Sequence, residues 1–231
     1  MTKLLISVRD AEEAVIATKY AIDVLDVKDP EAGALGAVNE ATLRKIVSEV
    51  SGSFVKSVAL GELRDFQPTI SGELLSHFQL VKIGLAGMAN IADWQTAWQD
   101  FASSLPSNCR PVCVAYLDAE LAQAPPLAEV FQLAKANLRS PLLIDTFEKS
   151  NGGLVERLGG DQLRMLVHVA RDRGVTELAL AGSVLLEHLP TLLECKPDYI
   201  GVRGAVCAKG REQLDSDRLR EFWEAWQRAE H

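Results

Sequence analysis

Eight short apolar runs, each followed by a stretch of helical pattern, constrain this chain more than any other feature. The runs lie at residues 4–8, 24–27, 53–60, 80–85, 111–117, 141–147, 178–181 and 199–202. They lack the polar alternation of a half-exposed strand, so they read as parallel strands buried on both faces. Eight β/α units in 231 residues favour an α/β chain folded as a single-domain (β/α)8 TIM barrel over 1–231, with an open doubly wound sheet as the alternative. Asp10 is placed to cap a first helix running to residue 20, with Ala11, Ala14, Val15 and Ala17-Thr18 facing inward, and Asn39 to cap a second over 39–50. Further helices are expected at 71–77, 91–105, from Pro125-Pro126 to about 138, and at 156–173, 185–194 and 215–229. Trp94, Trp98 and Phe101 recur at helical spacing, as a packing stripe does.

Composition narrows the function classes. Hydrophobic residues make up 48% and charged residues 24%, enough for a sizeable core, and no linker-like segment marks a seam. A net charge of −8 with scattered basic residues argues against a nucleic-acid surface, yet leaves room for a local basic pocket that takes a phosphorylated metabolite. Cys109, Cys113, Cys195 and Cys207 have no metal-ligand spacing among themselves or with His77, His168, His188 and His231. They read as buried reduced thiols, and no metal site is expected. The first ten residues hold too short an apolar run for a signal peptide, and no later run reaches the length of a membrane span. The expected setting is the cytoplasm, with no membrane partner.

Charge inside the apolar runs is the unusual element. Alternation places Asp26 and Lys28 on one face of the second strand, opposite Leu25 and Val27. Lys82 interrupts the fourth strand, and the sixth ends at Asp145 with Lys149 four residues on. All five come from even-numbered strands, which feed the same layers of a barrel interior, and the active sites of such barrels gather at the C-terminal strand ends. Crowding and burial lower an amine's pKa and make it a nucleophile toward carbonyls, while neighbouring carboxylates move protons. Any one of these residues alone reads as a structural ion pair; the set of five reads as catalytic.

A second cluster suggests an anion site. Gly182 and Ser183 follow the seventh strand and read as leading directly into a helix, whose free N–H groups would receive phosphate. Gly201 and Gly204 allow close backbone approach beside them, and Arg203 offers a guanidinium or serves as a buried structural arginine.

The segments Asp26-Val27-Lys28-Asp29-Pro30, Val81-Lys82-Ile83-Gly84-Leu85, Leu143-Ile144-Asp145-Thr146 with Lys149, Leu180-Ala181-Gly182-Ser183 and Ile200-Gly201-Val202-Arg203-Gly204-Ala205 with Cys207 together resemble the (5-formylfuran-3-yl)methyl phosphate synthases of methanofuran biosynthesis. The resemblance runs through nearly the whole chain in the same order. It implies a barrel lyase that condenses two molecules of glyceraldehyde 3-phosphate into 4-(hydroxymethyl)-2-furancarboxaldehyde phosphate, releasing phosphate and water. Lys28 would form the Schiff base; Asp26, Lys82, Asp145 and Lys149 would be its acid, base and phosphate-binding neighbours. No cofactor is implied.

Three segments depart from the family pattern. The loop at 61–68 lacks a lysine expected before Pro68, the loop at 118–126 is short, and the tail after Cys207 differs. Read without the family, the lysines fit a Schiff-base aldolase acting on another phosphorylated aldehyde equally well, and a non-catalytic sugar-phosphate binder ranks third. The oligomeric state stays open. The terminal helix with Phe222, Trp223 and Trp226, read as exposed, is available for contact with a second copy.

Overall fold

Strands with no polar face need cover on both sides, and this chain supplies it by closing its strands on themselves beneath a ring of helices. The computed structural model describes residues 1–137 and 140–230. Its elements are β1 (Lys3–Val8), α1 (Ala11–Ala17), β2 (Val24–Val27), α2 (Glu40–Glu49), β3 (Val55–Glu62), α3 (Gly72–Leu75), β4 (Leu80–Gly84), α4 (Trp94–Ser104), β5 (Arg110–Tyr116), α5 (Ala119–Ala122), α6 (Leu127–Ala136), β6 (Leu142–Asp145), α7 (Leu154–Asp172), β7 (Leu178–Leu180), α8 (Leu189–Glu194), β8 (Tyr199–Val202) and α9 (Ser216–Glu230). Every strand pairs in parallel with the next, and β8 returns to β1, giving a closed eight-stranded barrel. The open doubly wound alternative is thereby excluded. The expected end of α6 near residue 138, and His231, lie outside the described residues.

Alternation divides the apolar residues into two cores. Leu5, Val24, Ala59, Leu80, Val112, Leu143, Ala179 and Tyr199 fill the barrel, while Leu4, Ile6, Leu25, Val27, Val81 and Ile83 point outward under the helices. The helix signals act as read: the Asp10 side chain accepts from the Glu13 amide at 2.9 Å, and Asn39 accepts from Thr42 at 2.8 Å. Trp94, Trp98 and Phe101 are buried. The four cysteines are free and buried.

Three expectations change. The first helix ends at Ala17 and leaves Val15 exposed, because its inward arc takes in Glu13 instead. The short α5 appears in a segment read as loop. The terminal helix is no free apolar face: Phe222 and Trp226 are buried in the outer core, and only Trp223 stays half-buried, against Tyr20 with ring centroids 5.7 Å apart.

Glu13 is buried because it meets Arg203, which comes from the end of β8, 190 residues away in sequence. Arg203 Nη1 and Nη2 both donate to the Glu13 carboxylate, the second at 3.0 Å, and Glu13 also accepts from the Leu214 amide at 3.0 Å. This buried pair ties α1 to the barrel's C-terminal rim. Removing one partner strands the other charge, so Glu13→Ala is expected to lower the unfolding free energy by about 3–5 kcal/mol. Urea denaturation followed by circular dichroism checks this, and a loss below about 1 kcal/mol, the range of an exposed pair, would contradict it.

Candidate active site

The barrel's C-terminal mouth opens into a cavity of about 430 Å³ lined by Asp26, Lys28, Lys82, Asp145, Lys149, Gly182, Ser183, Gly201, Arg203 and Gly204, among others. Every candidate named from the sequence therefore borders one space. Small inward residues make the room: a Cβ on Gly201 would lie 3.2 Å from the Ala181 Cβ and 3.5 Å from Leu5.

Within the cavity the three lysines are not equivalent. Lys82 Nζ lies 2.5 Å from Asp26 Oδ1, and Lys149 Nζ lies 2.6 Å from Asp145 Oδ1. Lys28 Nζ has only a long hydrogen bond to the Ala34 carbonyl, at 3.4 Å; among the described residues no carboxylate oxygen comes within 4.0 Å of it. Burial is the largest influence on Lys28 and lowers its pKa; Asp145 pulls the other way and Lys82 adds to the fall, leaving it at about 7. For Asp145 burial pushes upward, but Lys149 and Lys28 outweigh it and hold the carboxyl at about 2. Asp26 is likewise pushed up by burial, and Lys82 and Lys28 overcome this to bring it below the ordinary value. At neutral pH the cavity therefore holds two carboxylates beside a Lys28 amine with a substantial neutral fraction.

The neighbouring strands and loops brace these groups. Ser7 sits opposite Asp26 on β1 and donates its hydroxyl at 2.9 Å, and Ser57 sits opposite on β3. Lys149 also donates to the Thr146 carbonyl and, at 3.2 Å, to its Oγ1. Asp118 fixes the loop carrying Lys149 by accepting from the Phe147 and Glu148 amides at 2.7 and 2.8 Å while pairing with Arg157 at 3.0 Å. Across the barrel, Tyr116 donates to Glu62 at 2.6 Å; burial raises the Glu62 pKa, and this hydrogen bond opposes the rise.

The anion-site expectation is corrected in two respects. No helix starts at Ser183: a 3-10 turn at Leu186–His188 comes first, then α8. What lies beside the cavity is a left-handed turn, with φ of 107° at Gly182 and 49° at Ser183. Only glycine fits at 182, where a Cβ would stand 3.1 Å from the Thr146 amide nitrogen. Among the described residues the amides of 182–184 have no hydrogen-bond partner, so the turn still offers donors to an anion. Second, Arg203 is structural: besides Glu13 its guanidinium donates to the carbonyls of Ser7, Arg211 and Glu212. Arg211 also borders the cavity, with its buried Nη2 unpartnered; sequence reasoning passed over it, since in Lys209-Gly210-Arg211-Glu212-Gln213 it reads as one solvated charge among several.

The cavity lining carries six basic side chains, Lys28, Lys82, Lys149, Arg203, Arg211 and Arg218, against Asp26 and Asp145, in a chain of net charge −8. Such a focus attracts anionic small molecules. Among the described residues no three His, Cys, Asp or Glu side chains group as metal ligands would, and no helix is long and apolar enough to cross a membrane.

Comparison with known proteins adds to this geometry. The family model for 4-HFC-P synthase matches residues 4–222. A (5-formylfuran-3-yl)methyl phosphate synthase of Methanothermobacter thermautotrophicus is 31% identical over 230 residues, covering 96% of this chain and 97% of that protein. The synthase of the same name from Methanocaldococcus jannaschii is 30% identical over 232 residues, covering 96% and 98%. Among solved structures, phosphoribosyl anthranilate isomerase from Thermotoga maritima superposes with a TM-score of 0.69 at 16% identity, covering 98% of this chain and 99% of that chain, a likeness of fold.

The unfolded chain's lysine keeps its ordinary value of 10.5, so between about 7 and 10.5 the unfolded state binds the extra proton. The cost of burying Lys28 is thus full below pH 7 and lifts as pH rises to 10.5. In lysine-labelled protein, the Lys28 Cε resonance, assigned by its loss in Lys28→Arg, is expected to titrate near 7. Asp145→Asn removes an upward influence and should move that midpoint lower. A Lys28 midpoint near 10 would contradict this electrostatic picture.

Proposed function

The chain belongs to the 4-HFC-P synthase family, and on that premise we propose that it condenses two molecules of glyceraldehyde 3-phosphate into (5-formylfuran-3-yl)methyl phosphate, releasing phosphate and water, as a lyase of methanofuran-type cofactor biosynthesis. One observation carries the reading. Of the three cavity lysines, Lys82 and Lys149 each pair with a carboxylate, whereas Lys28 has none within ion-pair distance among the described residues and has its pKa brought to about 7.

The chemistry follows from that inequality. The neutral Lys28 amine adds to the aldehyde of the first triose phosphate and, with loss of water, forms an imine. The imine acidifies the adjacent carbon, where Asp145 or Asp26 accepts the proton, and the ester phosphate leaves by elimination. Lys82 and Lys149 hold these carboxylates ionised and ready as bases. The second triose phosphate isomerises to its ketone by proton transfer from C2 to C1, and the nucleophilic carbon attacks that C2 carbonyl; closure of the ring through the C1 hydroxyl, hydrolysis from Lys28 and net loss of two waters give the aromatic furan. Aromaticity draws the sequence forward. Two phosphorylated substrates suit a lining that still offers Arg211, Arg218 and the turn at Gly182 and Ser183 as anion donors.

Incubation with glyceraldehyde 3-phosphate alone is expected to produce a furan-aldehyde ultraviolet absorbance together with inorganic phosphate. Lys28→Ala should reduce both to the protein-free background, and Asp145→Asn should slow them by about 10²–10⁴-fold, as loss of a proton-transfer group does. Phosphate release without the absorbance would replace the furan reading with another elimination on a triose phosphate.

A further inference from the structure

Arg211 stands in the loop after Cys207 at the cavity mouth, and no reaction step above accounts for it. We propose that Arg211 binds the phosphoryl group of a phosphate-monoester substrate, together with the backbone turn at Gly182 and Ser183. The proposal rests on the reading above only in taking a phosphate ester as the ligand.

The loop that carries Arg211 is held at the cavity mouth. An antiparallel bridge pairs Cys207 with Leu214, and the Ala208 amide donates to the Gln213 carbonyl at 2.9 Å. Buried Arg203 then grips the loop backbone, donating from Nε to the Arg211 carbonyl at 3.0 Å and from Nη2 to the Glu212 carbonyl at 3.0 Å. The loop lies directly on the anion turn's neighbour: a Cβ on Gly204 would stand 3.4 Å from the Gly210 carbonyl oxygen and 3.8 Å from Arg211 Cγ. With its main chain fixed by Arg203, the Arg211 side chain is free of structural duty and lines the cavity.

What it lacks is a partner. Arg211 Nη2 is buried yet has no hydrogen bond, whereas buried polar groups are almost always paired. Burial also lowers the guanidinium's pKa, against the pull of Asp145. An anion between Arg211 and the unpaired 182–184 amides would satisfy both sets of donors at once. A phosphate monoester fits best, since its tetrahedral oxygens accept from a guanidinium fork on one side and backbone amides on another.

Calorimetric titration with sn-glycerol 3-phosphate tests this, because that ligand has the phosphate and no aldehyde. Arg211→Gln is expected to weaken binding about tenfold to a hundredfold, the worth of a charge-assisted pair, with an unchanged melting curve. Arg211→Lys keeps the charge and should lose less. Arg218, exposed at the rim, is the competing cation. Wild-type affinity in Arg211→Gln, the loss appearing in Arg218→Gln instead, or no binding by the wild-type protein would each overturn the proposal. A protein that makes no furan but loses glycerol 3-phosphate binding in Arg211→Gln would refute the proposed reaction and leave this site standing; furan synthesis with unchanged binding in Arg211→Gln would refute this site alone.

Discussion

The site depends on an imbalance of buried charge: three lysines and two aspartates share the C-terminal mouth of the barrel. Two amines find carboxylates, Lys82 with Asp26 and Lys149 with Asp145. The third has none within ion-pair distance and is pressed toward its neutral form by burial and by Lys82. Desolvation, ordinarily a cost, here lowers the pKa of Lys28, which is what the proposed nucleophilic role requires. Each ion pair also holds its aspartate in the ionised form.

Barrel closure makes the imbalance sustainable. β2, β4 and β6 direct Asp26, Lys82 and Asp145 into one interior, with Ser7 and Ser57 opposite Asp26 on its two neighbouring strands. Toward β7 and β8 the inward residues shrink to Ala179, Ala181 and Gly201, and the cavity opens there. The Arg203–Glu13 pair stabilises that rim and fixes the loop that presents Arg211. Charge is thus sorted around the mouth, with the paired aspartates and lysines over the even strands and anion donors over β7 and β8.

Much of this was legible in the sequence because barrels turn local patterns into positions. Uninterrupted apolar runs gave the parallel strands, and a charge inside such a run is rare enough to mark Asp26, Lys28, Lys82 and Asp145. Contacts made across the chain were not legible. Arg203 stayed open between an anion ligand and a structural arginine because nothing local reveals Glu13, 190 residues earlier, as its partner. Gly182-Ser183 looked like a helix start because a Gly-Ser pair also begins helices, and its left-handed turn is packed against Thr146, which is distant in sequence. Trp226 looked exposed because a helix that closes over a barrel and one that offers a subunit contact carry the same apolar stripe. Among the lysines, only the three-dimensional pairing gives a physical reason to single out Lys28.

The most direct test of that selection is borohydride reduction of the protein incubated with glyceraldehyde 3-phosphate, followed by proteolysis and mass spectrometry. The account predicts one reduced triose adduct, on Lys28, with Lys82 and Lys149 unmodified and trapping that strengthens as pH rises through about 7. An adduct on Lys82 or Lys149, or none on the folded protein, would contradict it.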